Sequence, residues 1–151
     1  MENIQASNFM LALDRITKNT KRVIDSVLRK HGLRSTHASC FFRICEDQNG
    51  MTSTELAEAC GVDKAFISRI TTQLSNDGYI TKAPGTTGLI YKRKFILTEK
   101  GNSVYDELKL ALADVVINAS KEIPEGNLQI FDQVLNILDK NLIDSVKGGL
   151  N

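Results

Sequence analysis

Two helix-start signals stand eleven residues apart between Met51 and Asn76, and this spacing limits what the chain can fold into more than any other feature. Thr52-Ser53-Thr54-Glu55 is a capping box, in which the threonine hydroxyl accepts from the N–H three residues on and the glutamate reaches back to the cap N–H. Met51 and Leu56 are spaced as its hydrophobic staple, and the helix it opens is expected to run to about Cys60. Gly61-Val62-Asp63 is a tight turn, after which Asp63 caps a second helix with Val62 and Ile67 as staple. Asn76-Asp77-Gly78 ends that helix, glycine taking the left-handed C-terminal position at no steric cost. Two short capped helices joined by three residues, one of them glycine, form a helix-turn-helix.

Two strand patterns follow, Tyr79–Lys82 and Leu89–Leu97, with Gly85-Thr86-Thr87-Gly88 as hairpin tip. They read as a wing. Upstream, residues 4–31 form one long helix with Phe9, Leu13 and Ile16 among its repeating apolar positions, stopped by Gly32. A helix over about Thr36–Asp47 precedes the turn Gln48-Asn49-Gly50. Downstream, Thr98 caps a helix to about Ser120. Pro124 opens a last helix, where Leu128, Phe131, Leu135, Leu138 and Leu142 alternate in steps of three and four. Ile130, Val134 and Ile137 draw a second seam beside them. A helix apolar on two sides meets more than its own domain. The fold class is mainly α with a small β-hairpin wing, a winged helix-turn-helix flanked by long N- and C-terminal helices. The whole of 1–151 is expected to be one domain: flanking helices at 4–31 and 124–146, a winged core at 36–100 and a linking helix at 98–120.

The helix capped by Asp63 separates cleanly into two faces. At about 100° per residue, Ile70, Thr71 and Leu74 fall within about 60° of Ile67. Ala65, Ser68, Arg69, Thr72, Gln73 and Asn76 fall opposite, with Lys64 at the edge and no acid before Asp77. Small side chains let the backbone approach a major groove. Arg69 suits guanine, Gln73 suits adenine, and Ser68 or Thr72 suits either a base or a phosphate. Lys64, near the helix start, suits phosphate. A solvated helix face of no function has the same composition, and it is the wing and the charge distribution that favour the nucleic-acid reading. Phe66, on the flank, packs under the wing or touches a thymine methyl.

Net charge is only +1, yet it is unevenly spread. Residues 61–100 carry seven Lys or Arg against three acids, and residues 101–151 carry four against eight. The basic centre suits one face turned to a polyanion. No basic stretch ahead of an apolar run opens the chain, and no run reaches membrane-spanning length, so a soluble cytoplasmic protein is expected. The three cysteines, Cys40, Cys45 and Cys60, read first as small buried hydrophobes and second as redox-active thiols. Cys40 and Cys45, about 140° apart around a helix, do not bridge within it. Only His31 and His37 are available as imidazole ligands, in no familiar metal spacing, so neither metal nor cofactor is expected.

From Met51 to Gly101 the residues resemble the MarR (multiple antibiotic resistance regulator) family. The resemblance lies in Thr52–Ile70, in the Leu-Ser-Asn-Asp-Gly-Tyr-Ile run at Leu74–Ile80 and in the Leu-Thr-Glu-Lys-Gly run at Leu97–Gly101. The flanking helices extend it over nearly the whole chain. It implies a homodimer in which the first and last helices of two subunits interlock, making 4–31 and 124–146 dimerisation helices with Phe9, Leu13, Ile16, Leu128, Phe131, Leu135, Leu138 and Leu142 as the dimerisation residues. It implies recognition helices in successive major grooves of a pseudo-palindromic operator, with Lys64, Ala65, Ser68, Arg69 and Thr72 at the groove. Wings then lie toward the minor grooves, with Lys82, Thr86, Thr87, Lys92, Arg93 and Lys94 as the wing contacts. The chain departs from the family pattern at three places. Leu89, Ile90 and Tyr91 stand where a wing Asp-x-Arg is common, Gln73 where arginine is common, and Cys60 where leucine is usual.

The function expected is therefore a DNA-binding repressor relieved by a small aromatic or phenolic ligand, held near His37, Phe41 and Phe42, although core packing accounts for those three equally well. Alternatives in other classes are a winged-helix protein-interaction module that does not bind DNA and a thiol-based redox regulator. No nucleophile, phosphate-loop or metal motif points to an enzyme.

Overall fold

A computed structural model describes residues 3–47, 49–85 and 93–148. It divides into two compact units, residues 1–113 and 114–151.

In the first unit, α1 (Asn3–Leu28) ends in a single 3₁₀ turn, Arg29–His31, where Gly32 reverses the chain at φ 69°. Then come α2 (Ser35–Glu46), β1 (Met51–Thr52), α3 (Ser53–Cys60), α4 (Lys64–Asn76), β2 (Ile80–Lys82) and β3 (Lys94–Leu97). The first long helix was expected to continue to residue 31; its last turn is tighter than α-helical. The strand β1 had no signal in the sequence, since two residues show no alternation. It is pinned by pairing, Met51 opposite Phe95 and Thr52 opposite Lys94. With β2 antiparallel on its other side, β3 is the centre of a three-stranded sheet ordered β1-β3-β2. The expected tip residues Thr86, Thr87 and Gly88 and the first half of the expected second strand, 89–92, lie outside the described residues.

Both capping signals operate. The Thr52 hydroxyl accepts from the Glu55 N–H at 3.2 Å, and the Glu55 carboxylate accepts from the Thr52 N–H at 2.7 Å. Asp63 accepts from the Phe66 N–H at 2.8 Å. Across the turn between them, Gly61 is left-handed, with φ 65°. Thr98 performs the same service for α5 (Glu99–Ala119), accepting from the Gly101 N–H at 3.1 Å.

Leu28, Phe41, Leu56, Ile67, Leu74, Val104 and Leu108 are fully buried together, which brings α1 to α5 onto one core. Tyr79 packs edge-on against Phe41, at 6.1 Å between ring centroids, and its hydroxyl donates to the His31 carbonyl. Cys40 lies inside this core and Cys60 at its edge.

The second unit holds the end of α5 and α6 (Glu125–Gly148). Pro124 sits one residue before α6, its carbonyl accepting from Asn127 and Leu128. Among the described residues, no helix is long and apolar enough to cross a membrane.

Candidate nucleic-acid interface

The helix α4 is anchored from one side and open on the other. Ile67, Ile70, Thr71 and Leu74 are buried, whereas Lys64, Ala65, Ser68, Arg69, Thr72, Gln73 and Asn76 are exposed. This is the division that helical periodicity gives. Thr71, the one polar residue on the inner face, satisfies its hydroxyl by donating to the Ile67 carbonyl at 2.9 Å.

The open face has its own local order. Arg69 lies with its guanidinium 5.9 Å from the centre of the Phe66 ring, which restrains the side chain without consuming its donors. Phe66 itself is half-buried against the core. The Thr72 hydroxyl donates to the Ser68 carbonyl at 2.7 Å, leaving its oxygen lone pairs outward. Ser68, Arg69, Thr72, Gln73, Asn76 and Asp77 line a shallow hollow of about 400 Å³. From Lys64 to Asn76 the helix carries two cations and no carboxylate.

Gln73 is less free than its position suggests. His37 Nδ1 lies 3.0 Å from the Arg34 N and 3.1 Å from the Arg34 carbonyl oxygen, and Nε2 faces Gln73 Oε1 at 3.2 Å, where an amide oxygen can only accept, so the ring is the donor of that pair. Sequence reasoning missed this link because the two residues are far apart in the chain and no periodicity connects them.

Of the wing residues, Lys82 is exposed on β2. Arg93 and Lys94 are half-buried, and Lys94 Nζ lies 3.9 Å from the Asp47 carboxylate. Thr86, Thr87 and Lys92 lie outside the described residues. At the base of the wing, Lys100 stacks over the Tyr79 ring at 4.2 Å and donates to the Asp77 carbonyl at 2.8 Å.

His37 and Phe41 are buried, and Phe42 meets Tyr105 edge-on at 5.7 Å. An open hollow of about 520 Å³ lies elsewhere in the first unit, beside Lys21, Asp25, Arg29, Arg34 and Thr36.

The residues expected to dimerise lie mostly uncovered. Phe9 and Ile16 are exposed on α1, with Leu13 half-buried. On α6, Phe131, Leu135 and Leu142 are exposed and Leu128 and Leu138 half-buried, while Ile130, Val134 and Ile137 of the second seam are exposed too.

The family model described as MarR family matches residues 41–87. Among solved structures, the chain is similar to a Staphylococcus aureus MarR in complex with salicylate and kanamycin. The TM-score is 0.80 at 17% identity, covering 95% of each chain. It is also similar to a MarR transcriptional regulator of Methanosarcina mazei Go1, with TM-score 0.79, 16% identity, and 91% of this chain and 98% of that one covered. CouR of Rhodococcus jostii RHA1, bound to p-coumaroyl-CoA, gives TM-score 0.73 at 18% identity, covering 91% and 95%. At these identities the likeness shows the fold.

Proposed function

For a chain of the MarR winged-helix fold, we propose the function of a sequence-specific, DNA-binding transcription regulator that acts as a homodimer in the cytoplasm. One observation carries the reading: α4 presents an exposed, acid-free polar face along its length while its opposite face is locked into the core. Two copies related by a twofold axis would set this face into major grooves one helical turn, about 34 Å, apart, which requires a pseudo-palindromic operator. Arg69 reads a base edge, Ser68 and Thr72 meet bases or phosphates, and Lys64 meets phosphate at the helix start. Lys82 and Arg93 add backbone contacts from the wing.

We further propose that the protein is a repressor released by a small anionic aromatic ligand. The relatives bound to salicylate and to p-coumaroyl-CoA support this, and the cations Lys21, Arg29 and Arg34 around one hollow suit an anion.

Selection of bound duplexes from a random pool tests the first reading. The expected result is an inverted repeat, bound with an affinity that falls steeply as salt rises because counterions are released from phosphate. Retention of no duplex even at low salt would instead favour a protein-interaction module. Repeating the binding with salicylate tests release.

A further inference from the structure

The start of α2 borders the reading face of α4. His37 is buried in the first turn of α2, with Gln73 of the open face 3.2 Å from its Nε2 and the Arg34 backbone N and O at 3.0 and 3.1 Å from its Nδ1. Arg34 therefore stands one imidazole ring away from Gln73, with its backbone tied to that ring. Arg34 is exposed, and among the described residues no ion pair holds it. Of the described residues that line the hollow at this end of α2, Asp25 is the one carboxylate, and its Oδ1 already accepts from the Ser35 N–H at 2.8 Å. From Arg34 to Cys45 the chain carries two arginines and no acid, as free of carboxylate as the reading helix itself. We propose that Arg34 is a DNA-backbone contact supplied by α2, its guanidinium taking the phosphate at the groove edge beside the base that Gln73 faces.

The width of a helix decides the kind of contact. With its side chains a helix is about 10–12 Å across, and the major groove is about 12 Å wide. With α4 filling the groove, a residue beside α4 rather than on it meets the sugar-phosphate strand at the edge, not the base edges on the floor. A guanidinium suits that position, because its fork matches two phosphate oxygens with parallel hydrogen bonds. Lys21 and Arg29 line the same hollow from α1 and the 3₁₀ turn, but of the three cations it is Arg34 that the His37 ring ties to α4. His37 is then a positioning residue: it holds a backbone contact and a base contact at one spacing, so that binding the phosphate sets the register in which Gln73 meets its base.

The contact rests on the DNA-binding reading above, and the test separates the two. Wild type, Arg34→Ala, Arg34→Lys and Arg29→Ala are titrated with one selected and one scrambled duplex over a range of salt. Arg34→Ala is expected to weaken both about tenfold and to lower the salt slope by about one, since a lost phosphate contact carries no base information. Arg34→Lys should keep most of the slope, because an ammonium also binds phosphate as a point charge. Arg29→Ala removes an equal charge from the same hollow and should leave the slope unchanged. Selected duplexes carrying single uncharged methylphosphonates then locate the contact. One such substitution in each half-site, beside the position whose base preference Gln73→Ala relaxes, should weaken wild type and leave Arg34→Ala unaffected. An unchanged slope in Arg34→Ala, an equal fall in Arg29→Ala, or the same methylphosphonate pattern in wild type and Arg34→Ala overturns the contact. A phosphate that depends on Arg34 but lies away from the Gln73 position overturns the spacing set by His37. Wild-type protein that binds no duplex even at low salt refutes DNA binding itself, whereas any of the other contrary results refutes Arg34 or its spacing and leaves DNA binding standing.

Discussion

His37 Nε2 lies 3.2 Å from Gln73 Oε1, so a buried residue of α2 holds a residue on the open face of α4. Because the ring donates, the Gln73 carbonyl is the engaged half of the amide and its NH₂ is the half turned outward. An outward donor matches N7 of either purine, whereas the two-bond pattern that singles out adenine needs the carbonyl as well. With thymine O4 also an acceptor, the base facing Gln73 in selected duplexes is therefore expected to be adenine, guanine or thymine without strong preference, and cytosine to be disfavoured. A strict adenine at that position would mean that the bond to His37 opens on DNA. The same bond should contribute about 1 kcal/mol of coupling in a double-mutant cycle of His37→Phe and Gln73→Ala by urea unfolding.

Arg69 and Lys82 should separate reading from holding. Arg69→Ala is expected to cost about 1–3 kcal/mol on the preferred duplex and to relax the base preference at one position of each half-site. Lys82→Ala should weaken every duplex alike and reduce the salt slope by about one. Titration of one selected and one scrambled duplex at several salt concentrations distinguishes them. Equal losses of Arg69→Ala on both duplexes would remove Arg69 from base reading.

These positions were legible because they follow local rules. The caps at Thr52, Asp63 and Thr98 and the faces of α4 depend on residues within a turn of one another, and all stand where the sequence put them. The strand β1 and the His37–Gln73 bond were not legible, because each depends on a partner more than thirty residues away.

Gly101 shows why the Leu-Thr-x-x-Gly run ends in glycine. It is buried at the first turn of α5, and a Cβ there would overlap the Tyr79 carbonyl oxygen and sit 3.3 Å from the Leu97 Cβ. That carbonyl also accepts from the Thr98 N–H at 3.0 Å, so it cannot move aside without loss. Gly101→Ala is expected to lower stability by about 2–3 kcal/mol, as overpacking of a filled site does. Gly126→Ala, with open space around its Cβ, is the control. Equal thermal midpoints for the two variants would show that α5 shifts freely.

Two carboxylates give stability an acid limit. Asp25 accepts from the Ser35 N–H at 2.8 Å and so caps α2 from α1, and Glu55 accepts from the Thr52 N–H. These backbone hydrogen bonds hold both carboxyls below their ordinary values. The folded state then binds their protons less readily than the unfolded chain. The contribution is complete above the ordinary carboxylate range and is lost as pH falls through the lowered values. Stability should decline from about pH 4 downward, where carboxylates titrate. In Asp25→Asn and Glu55→Gln, which keep an acceptor without a titrating charge, that decline should be shallower. Urea midpoints taken from neutral to acid pH check this, and a decline as steep in the double variant would assign the acid limit to other groups.

In the proposed homodimer the last helix is the element on which pairing of the reading face can be tested. Phe131, Ile137 and Leu142 are each more than half exposed on α6, and leaving such apolar surface in water forfeits about 25 cal/mol for every Å² that a partner would cover. A carboxylate placed among them resists that covering, because a charge is costly to bury without a counter-ion. Phe131→Glu is therefore expected to shift the protein from dimer to monomer in sedimentation, with its helical circular dichroism kept. Asp139→Lys, on an exposed polar position of the same helix, should leave the dimer intact. The monomer should retain weak binding to a single half-site but lose most of its affinity for the inverted repeat, since that affinity requires two reading helices held at a fixed spacing. A Phe131→Glu protein that still sediments as a dimer would exclude this face of α6 from the interface, and the two reading helices would then have to be paired through α1 or α5.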